Sequence, residues 1–416
     1  MRRALASLGL LLASLAFSVT LAECGLRLHH YGSLRGLSGE HSLRMPHPSR
    51  GWTLAPEGWS FQRTRDYGVL VRTNAQGLRD RPHVYEKPPG TFRIVVLGDS
   101  FMEAYQVALE ESLPWRLQEQ LAPRGVEVVN LGIGGYGTAQ QLLYLEEEGL
   151  RYAPDLVVLA FFGGNDISNN AHAIESALMG ADEPTVFSRP YATAAGLDAP
   201  LAWTPPDAER IAPHAARWHA RRDSSLDALR RFLQPAMVVN LLEQAGAQLI
   251  ARLTQREPYD PSWLFGWPFL ASVPLPEAAR AWDEAWLVTR RLMLEMDRVA
   301  RGAGARFAIV LVPAHFQVAP DDLAALAARH PELSFDVGKL GRELARFCAE
   351  AGIPLLDPTP DLARAHESGT RVYYWLEDKH WNAAGHALVS DRLAGFLDAQ
   401  GLVPPARGAQ PSSTAR

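Results

Sequence analysis

The apolar run at residues 94–97 leads directly into Gly98-Asp99-Ser100, and this junction constrains the fold more than any other feature of the chain. Such a run of β-branched residues and leucine is typical of a buried strand, and an amphipathic helical pattern follows over residues 101–121. Open α/β sheets bind their ligands at the turns that follow their strands. The sequence therefore predicts that the Ser100 hydroxyl faces a cleft with a helix N-terminus behind it. Because Gly, Asp and Ser are also common in ordinary turns, this segment alone does not fix a function.

The rest of the chain alternates between predicted strands and helices, which favours a parallel sheet covered on both faces. Core strands are predicted at 92–97, 126–131, 156–162, 306–312 and 354–356. Helices are predicted at 101–121, 138–149, 277–302, 322–352 and 383–399. The expected fold is a three-layer α/β/α domain with a five-stranded parallel sheet.

The N-terminus is apolar and uncharged over residues 4–22, directly after Arg2 and Arg3. About 20 apolar residues can cross a bilayer as a helix, and the two arginines would stay on the cytoplasmic side. We therefore expect residues 1–22 to form a membrane helix, a signal anchor that holds the rest of the protein in the periplasm or outside the cell. Small residues at 20–22 leave a cleaved signal peptide, and thus a secreted form, as the alternative.

The remaining chain divides by composition into a linker and small N-terminal cap over 23–91, a core domain over 92–400 and a tail over 401–416. The tail is rich in Pro, Ser, Ala and Arg, which predicts disorder. The alternation of strands and helices stops at about 169–276, where we expect a loop-like stretch and then a largely helical insertion, with helices at 208–231 and 236–253. Aromatic residues in the insertion either anchor it in the core or contact a sugar or acyl group; they include Trp263, Trp267 and Phe269.

Composition excludes several classes of function. A net charge of -5 gives no indication of a nucleic-acid partner. The two cysteines, Cys24 and Cys348, are too few for a disulfide framework or a metal site. We therefore expect neither a metal nor a cofactor, and the oligomeric state is left open.

A serine nucleophile needs a base, a group that orients the base, and donors for the oxyanion. The second predicted strand is followed by a glycine-rich turn that includes Gly135, where the backbone can approach a substrate closely. The third is followed by Asn165, whose side-chain amide can donate to an oxyanion. His380 lies just before the last helix, with two adjacent carboxylates, Glu377 and Asp378, close by in sequence. The order of these residues predicts a nucleophilic serine site.

Each of these residues also has an ordinary structural explanation as a turn, a helix cap or a buried histidine. In addition, residues 132–137 satisfy Gly-x-Gly-x-x-Gly, the pattern of a dinucleotide-binding turn. That interpretation needs an acidic residue at the end of the next strand. Asp155 precedes that strand and Asp166 lies too far along, so the pattern disfavours a dinucleotide site.

Taken together, the Ser, Gly, Asn and His blocks resemble the SGNH (GDSL-type) hydrolase superfamily. The resemblance covers about residues 92–166 and 306–399 and implies a flavodoxin-like SGNH fold. It implies that Ser100 is the nucleophile and His380 the base. It also implies that Gly135 and Asn165 are oxyanion donors.

Two positions depart from the family pattern. Phe101 stands where a leucine commonly follows the serine, and Glu377 stands three residues before the histidine, where the family usually has its carboxylate. Asp378 instead matches an Asp-x-His-Trp pattern that resembles membrane-associated relatives and an alginate acetyltransferase-like branch. We therefore predict Asp378 as the triad acid, with Glu377 as the alternative.

The resemblance implies a serine esterase that cleaves an acyl or acetyl ester without a metal or cofactor. The expected partner is an ester-bearing polysaccharide or lipid of the envelope or the extracellular space. Chain length, the N-terminal segment and residues 74–80 also resemble a bacterial group of membrane-anchored members. An O-acetyltransferase that uses the same site is the enzymatic alternative, and a catalytically idle glycan-binding scaffold is the non-enzymatic one.

Overall fold

The computed structural model describes residues 2–31, 43–64, 66–222, 261–374 and 378–405. The strands in this part of the chain are β1 (Arg44–His47), β2 (Gly51–Leu54), β3 (Trp59–Arg63), β4 (Gly68–Arg72), β5 (Phe92–Gly98), β6 (Val126–Gly132), β7 (Leu156–Phe162), β8 (Tyr191–Thr193), β9 (Ala202–Thr204), β10 (Arg306–Val312) and β11 (Leu355–Leu356). The helices are α1 (Arg2–Tyr31), α2 (Ser100–Glu103), α3 (Leu113–Leu121), α4 (Thr138–Glu147), α5 (His172–Met179), α6 (Pro184–Ser188), α7 (Ala208–Arg222), α8 (Pro261–Phe269), α9 (Pro276–Gly302), α10 (His315–Val318), α11 (Pro320–Arg329), α12 (Lys339–Ala351), α13 (Thr359–Glu367) and α14 (Ala383–Ala399).

The core is a five-stranded parallel sheet with the order β11-β10-β7-β5-β6, which confirms the predicted fold class. Alternate residues of β5 point to opposite faces of the sheet. Val95 and Leu97 pack in one apolar cluster with side chains of α4, α9 and α12. Ile94 and Val96 pack in a second cluster with α3 and α14. Helices therefore cover both faces, as the continuous apolar strands predicted.

Strand register brings the carboxyl ends of three neighbouring strands, β6, β5 and β7, level. Leu97 of β5 pairs with Leu131 of β6 on one side and with Leu159 of β7 on the other. The turns that follow these strands carry the serine, the glycines and the asparagine singled out in the sequence, so they meet at one edge of the sheet.

The prediction of one continuous helix over 101–121 is wrong. The chain instead forms the one-turn helix α2, a left-handed residue at Ala104 (φ 54°), a short 3₁₀ turn and then α3. The predicted helix over 322–352 is likewise divided into α11 and α12, because the intervening residues include Pro331 and Gly338. An amphipathic repeat can continue across such breaks, so periodicity alone does not reveal them.

The stretch after residue 169 was expected to be loop-like, but it contains α5, α6 and the antiparallel pair β8–β9. Trp267 stacks on Trp286 with ring centroids 4.7 Å apart, and Phe269 is buried, which supports the anchoring role for these aromatic residues. The side chain of Trp263 lies outside the described part of the structure. The same holds for the helix predicted over 236–253, the end of that predicted over 208–231, and tail residues 406–416.

Within the described ranges, no helix is both long enough and apolar enough to cross a membrane. The membrane helix expected from residues 1–22 is therefore not found. Helix α1 covers this segment and continues to Tyr31.

Two small antiparallel pairs, β1–β2 and β3–β4, precede the core in the chain and form its N-terminal cap. Trp52 of β2 is buried, and its carbonyl oxygen accepts a hydrogen bond from the hydroxyl of Tyr136. The turn that follows β4 is closed by a hydrogen bond from Gly77 N–H to the carbonyl of Asn74 (3.0 Å). The predicted cap is therefore packed against the glycine-rich turn after β6.

Candidate active site

Ser100, His380 and Asp378 form a continuous chain of short contacts. The Oγ of Ser100 lies 2.6 Å from Nε2 of His380, and Nδ1 of His380 lies 2.6 Å from Oδ1 of Asp378. These are hydrogen-bond distances. The arrangement can remove a proton from the serine hydroxyl and stabilise the imidazolium that results.

Local structure places the serine and the histidine at helix starts. Asp99 caps α2, since its Oδ1 accepts the backbone N–H of Phe101 (2.9 Å), and Ser100 is the first residue of that helix. Asn382 caps α14, since its side-chain oxygen accepts the N–H groups of Ala384 and Gly385. His380 lies two residues before this cap, so the start of α14 fixes its position.

Asp378 is the carboxylate that contacts the histidine. Its Oδ1 also accepts the backbone N–H of His380 (2.8 Å), and its Oδ2 accepts the hydroxyl of Tyr67 (2.9 Å). Burial alone would raise the pKa of Asp378, but hydrogen bonds from His380 and Tyr67 outweigh burial and hold the pKa below its ordinary value. The carboxylate is therefore ionised at neutral pH. Glu377, the alternative triad acid, lies outside the described residues.

The turn after β6 brings Gly134 and Gly135 to the serine. A Cβ atom at Gly134 would lie 3.7 Å from Cβ of Ser100 and 2.7 Å from Nη2 of Arg44, so a larger residue there would require the Arg44 side chain to move. The N–H of Gly134 donates to the Glu103 carboxylate (2.5 Å). Gly135 has a φ of 77°, a backbone conformation that favours glycine, and its carbonyl accepts a hydrogen bond from Arg189 (2.8 Å). The turn is thus held on both sides while it approaches Ser100.

Asn165 lies at the same edge of the sheet, but its amide is engaged elsewhere. Its Nδ2 donates to Oδ1 of Asn169 (3.0 Å), and its Oδ1 is buried without a hydrogen-bond partner. Its amide also lies near Asp99, the residue before the serine, and helps to stabilise that carboxylate. The structure therefore brings Asn165 next to the nucleophile turn without a contact to Ser100 itself.

Two buried carboxylates, Asp99 and Asp166, lie close to each other beside the turn that carries Ser100. Burial raises the pKa of Asp99 to about 6. Burial, and then the nearby charge of Asp99, raise the pKa of Asp166 well above its ordinary value. Asp166 accepts hydrogen bonds from Phe162 N–H (2.9 Å) and from the Gln141 amide (3.2 Å). The pair consequently binds a proton more readily than exposed carboxylates do.

A pocket of about 400 Å³ opens beside the histidine. Phe101, Phe162 and Ala314 form its apolar wall, and the other lining residues are His315, Asp378, Lys379 and His380. The ring of Phe101 lies 4.6 Å from the imidazole of His380 and 4.8 Å from the ring of Phe162. The phenylalanine that replaces the more common leucine therefore both packs against the base and lines the pocket.

A family model described as the GDSL-like lipase/acylhydrolase family matches residues 96–333, which is more than half of the chain. The chain belongs to this family. A second model, described as an SGNH hydrolase-like domain of the acetyltransferase AlgX, matches residues 261–415 of this GDSL-like protein. No curated relative matches the chain significantly.

Solved structures similar to this GDSL-like protein match at low identity. An acetyl xylan esterase, AlAXEase, is 13% identical with a TM-score of 0.36 and covers 73% of this chain and 98% of its own. A lipase/acylhydrolase from Enterococcus faecalis is 14% identical with a TM-score of 0.35 and covers 74% and 97%. A two-domain esterase (CEX) active on acetylated mannans is 12% identical with a TM-score of 0.35 and covers 78% and 53%.

Three residues of the cap contact the site of this GDSL-like protein and were missed by sequence analysis. Two of them lie in the turn between β3 and β4. Tyr67 donates its hydroxyl to the carboxylate of Asp378, and the carboxylate of Asp66 accepts the backbone N–H of Asp378. Arg79 is fully buried and donates to the carbonyl oxygens of Glu103 and Ala104, at the end of the helix that begins with Ser100. Nothing in the local sequence marks Asp66 or Tyr67. Arg79 falls in the 74–80 segment, whose resemblance to other proteins was the only available signal.

Proposed function

We propose that this protein is a serine esterase that removes a short acyl group, in the simplest case acetyl, from a hydroxyl of a glycan or lipid in the envelope or outside the cell. One observation carries the proposal: a GDSL-like family member holds Ser100, His380 and Asp378 at successive contacts of 2.6 Å. The apolar wall of Phe101, Phe162 and Ala314 supports an acyl group of modest size.

The reaction begins when Nε2 of His380 takes the proton of Ser100 and Oγ attacks the ester carbonyl carbon. The carbonyl oxygen becomes an oxyanion, which the backbone N–H groups of Ser100 and Gly135 and the amide of Asn165 stabilise. His380 then gives its proton to the departing alcohol oxygen, and an acyl-Ser100 ester is left behind. Water loses a proton to His380, attacks this ester and releases the acid, and the proton returns to Ser100.

Asn165 can take this role and keep its present partner. Its amide nitrogen carries two N–H groups, and the bond to Asn169 (3.0 Å) uses one of them, so the other has to face the substrate oxygen. Hydrogen bonds of free enzymes often become aligned only when substrate is bound. The N–H of Gly135 has to face the same oxygen, and the φ of 77° at this residue is a backbone conformation that favours glycine.

Covalent labelling tests the nucleophile directly. A fluorophosphonate should add one label to the wild-type protein, measured as intact mass, and none to Ser100→Ala. Ser368→Ala serves as the control, because it changes an exposed serine outside the Ser, Gly, Asn and His blocks, and it should label like the wild type. A folded wild-type protein that does not label would leave the idle scaffold as the better explanation. Acid release from p-nitrophenyl esters of two to eight carbons and from acetylated xylan then tests the substrate class.

Acyl transfer to a sugar hydroxyl is the second candidate, and the match of residues 261–415 to the AlgX acetyltransferase domain favours it. The same acyl-Ser100 intermediate would be attacked by a sugar hydroxyl in place of water. Incubation with p-nitrophenyl acetate and an unacetylated oligosaccharide separates the two. An acetylated sugar in amounts comparable with nitrophenol indicates a transferase, whereas free acetate alone indicates an esterase.

We also propose that residues 1–22 direct the chain out of the cytoplasm. The pair Arg2-Arg3 followed by an uncharged run supports an export signal. Alkaline phosphatase fused after residue 31 should be active only if that signal works. Sequencing the N-terminus of the recovered protein then separates cleavage before Glu23 from retention, and an inactive fusion would contradict export.

A further inference from the structure

We propose that the turn between β3 and β4 is part of the catalytic machinery and that Tyr67 is a positioning residue for the triad acid. This inference rests on the proposed reaction at Ser100. It assigns to the N-terminal cap, which the family model starting at residue 96 does not include, a direct part in catalysis.

Asp66 and Tyr67 bind two groups of Asp378 that His380 does not contact, the Oδ2 atom and the backbone N–H. Oδ1 of Asp378 is occupied by the side chain and backbone of His380. Tyr67 donates its hydroxyl to Oδ2 (2.9 Å), and Oδ2 of Asp66 accepts the backbone N–H of Asp378 (2.8 Å). Together these contacts fix both the rotation of the carboxylate and the position of the backbone that carries it.

Asp66 and Tyr67 are both hydrogen-bonded to Thr64, directly after the end of β3. The N–H of Thr64 donates to the carbonyl of Tyr67 (2.9 Å), and the Thr64 hydroxyl oxygen accepts the N–H groups of Asp66 (3.1 Å) and Tyr67 (3.3 Å). These bonds restrict Asp66 and Tyr67, which both contact Asp378. A donor whose position is already restricted loses little entropy when it binds its partner.

The other side of the tyrosine ring is also connected to the triad loop. Tyr67 packs against Tyr374 with ring centroids 5.2 Å apart. The N–H of Tyr374 donates to the carbonyl of His380 (3.0 Å), and its hydroxyl donates to the carbonyl of Gln106 (2.9 Å). The ring therefore supports the histidine loop, whereas the hydroxyl acts on Asp378, and the two contributions can be separated by removing the hydroxyl alone.

The hydroxyl matters because Asp378 is mostly buried, with 11% of its side chain exposed. A neutral donor to a buried carboxylate stabilises the ionised form. Without that donor, the Asp378 and His380 pair takes up a proton more readily, and the carboxylate can rotate away from Nδ1. Both effects reduce the fraction of enzyme in which His380 can accept the proton of Ser100.

The test compares Tyr67→Phe with Tyr85→Phe. Tyr85 also donates its hydroxyl to a carboxylate (Glu148, 2.6 Å), but Glu148 lies at the far end of α4 from the site, so this variant removes a similar bond outside the triad. For Tyr67→Phe we expect kcat for p-nitrophenyl acetate to fall about tenfold, the equivalent of one hydrogen bond to a charged group. We expect KM to stay within twofold, and the acid limb of the kcat/KM profile to move to higher pH. Tyr85→Phe should leave kcat and the acid limb unchanged.

A second pair of variants tests Asp66 through the same observables. Asp66→Asn keeps an oxygen that can accept the N–H of Asp378, whereas Asp66→Ala removes it. We expect Asp66→Asn to retain at least half of wild-type kcat and Asp66→Ala to lose about tenfold. This pair decides the matter if Tyr67→Phe fails to fold, as judged by its melting temperature.

The rate of fluorophosphonate labelling separates failure of this inference from failure of the proposed function. If wild-type protein labels and Tyr67→Phe labels at the rate of Tyr85→Phe with the same pH dependence, the turn has no positioning role. If Tyr67→Phe loses stability and activity together without a shift of the acid limb, its role is structural and the inference is overturned. If the wild type itself does not label, the proposed function is wrong, and the inference falls with it.

Discussion

The Oγ of Ser100 and the Nε2 of His380 lie 2.6 Å apart, although 280 residues separate them in sequence. Ser100 follows strand β5, and His380 precedes α14, which packs on one face of that same sheet. Phe101 joins the two, because its ring contacts both His380 and the buried Trp381. The apolar core thus sets the distance between nucleophile and base.

Asp378→Asn should lower kcat by up to about 10⁴, since an asparagine at this position favours the wrong tautomer of the histidine. Glu377→Gln is the matched control and should cost less than about tenfold, because Asp378 already occupies Nδ1 of His380 and a second carboxylate would add only a screened field. Steady-state turnover of p-nitrophenyl acetate measures both variants. A larger loss for Glu377→Gln would make Glu377 the triad acid.

Asn165→Ala should lower kcat by about 10²–10³, the usual loss for one oxyanion donor. The expected effect on stability is small, about 1 kcal/mol, because Asn165 is partly exposed and the variant loses one neutral hydrogen bond, that from Nδ2 to Asn169. Urea unfolding and turnover per folded molecule, measured together, check this. A variant that unfolds easily but turns over normally would show that Asn165 only stabilises the turn after β7.

Arg79→Met should lower the free energy of unfolding by about 3 kcal/mol or more. The guanidinium donates to three carbonyl oxygens, those of Glu103 (2.7 Å), Ala104 (2.7 Å) and Val107 (2.6 Å), and each buried acceptor that loses its partner costs about 1–3 kcal/mol. Arg79→Lys should also destabilise, because a point charge cannot serve three acceptors as the planar guanidinium does.

Arg81→Met is the control for this experiment. Arg81 lies two residues away and forms a partly exposed ion pair with Glu119 (3.2 Å), a type of contact worth about 0–1 kcal/mol. Urea unfolding should therefore separate the two arginines clearly. Equal effects for Arg79→Met and Arg81→Met would contradict the conclusion that Arg79 stabilises the helix that begins at Ser100.

Stability should decline above neutral pH because of His83. Burial disfavours its charged form, but hydrogen bonds to Asp80 (2.9 Å) and Glu127 (2.7 Å) outweigh burial and raise the pKa of His83 to about 9. The unfolded chain loses this proton near pH 6.5, so the stabilisation is complete below that pH and is lost as pH rises through about 9. It amounts to about 3 kcal/mol at most.

Melting temperatures of the wild type and His83→Gln between pH 6 and pH 10 test this. The difference between the two proteins should be largest at the acid end and should shrink as pH rises through about 9, because the variant has no imidazolium to lose. A constant difference across this range would show that His83 is neutral in the folded protein.

Much of the sheet could be predicted, because β5, β7 and β10 are mostly buried on both faces and their apolar runs are nearly continuous. The strand predicted at 156–162 is β7 as the structure has it, and that at 306–312 is β10. The helix predicted over 383–399 is α14, and its asparagine cap is in place. Helix interruptions escaped prediction, since the left-handed Ala104 that ends α2 leaves the amphipathic repeat unbroken.

The sequence by itself determined the strand–turn–helix that presents Ser100 and the order of the Ser, Gly, Asn and His blocks. These features are local, and short-range sterics and hydrophobic periodicity encode them. Only the tertiary structure decided that Tyr67 donates to Asp378 and that Arg79 supports the nucleophile helix. Those contacts join segments far apart in the chain, and their geometry depends on how the cap packs against the core, for which a single sequence carries no local signal.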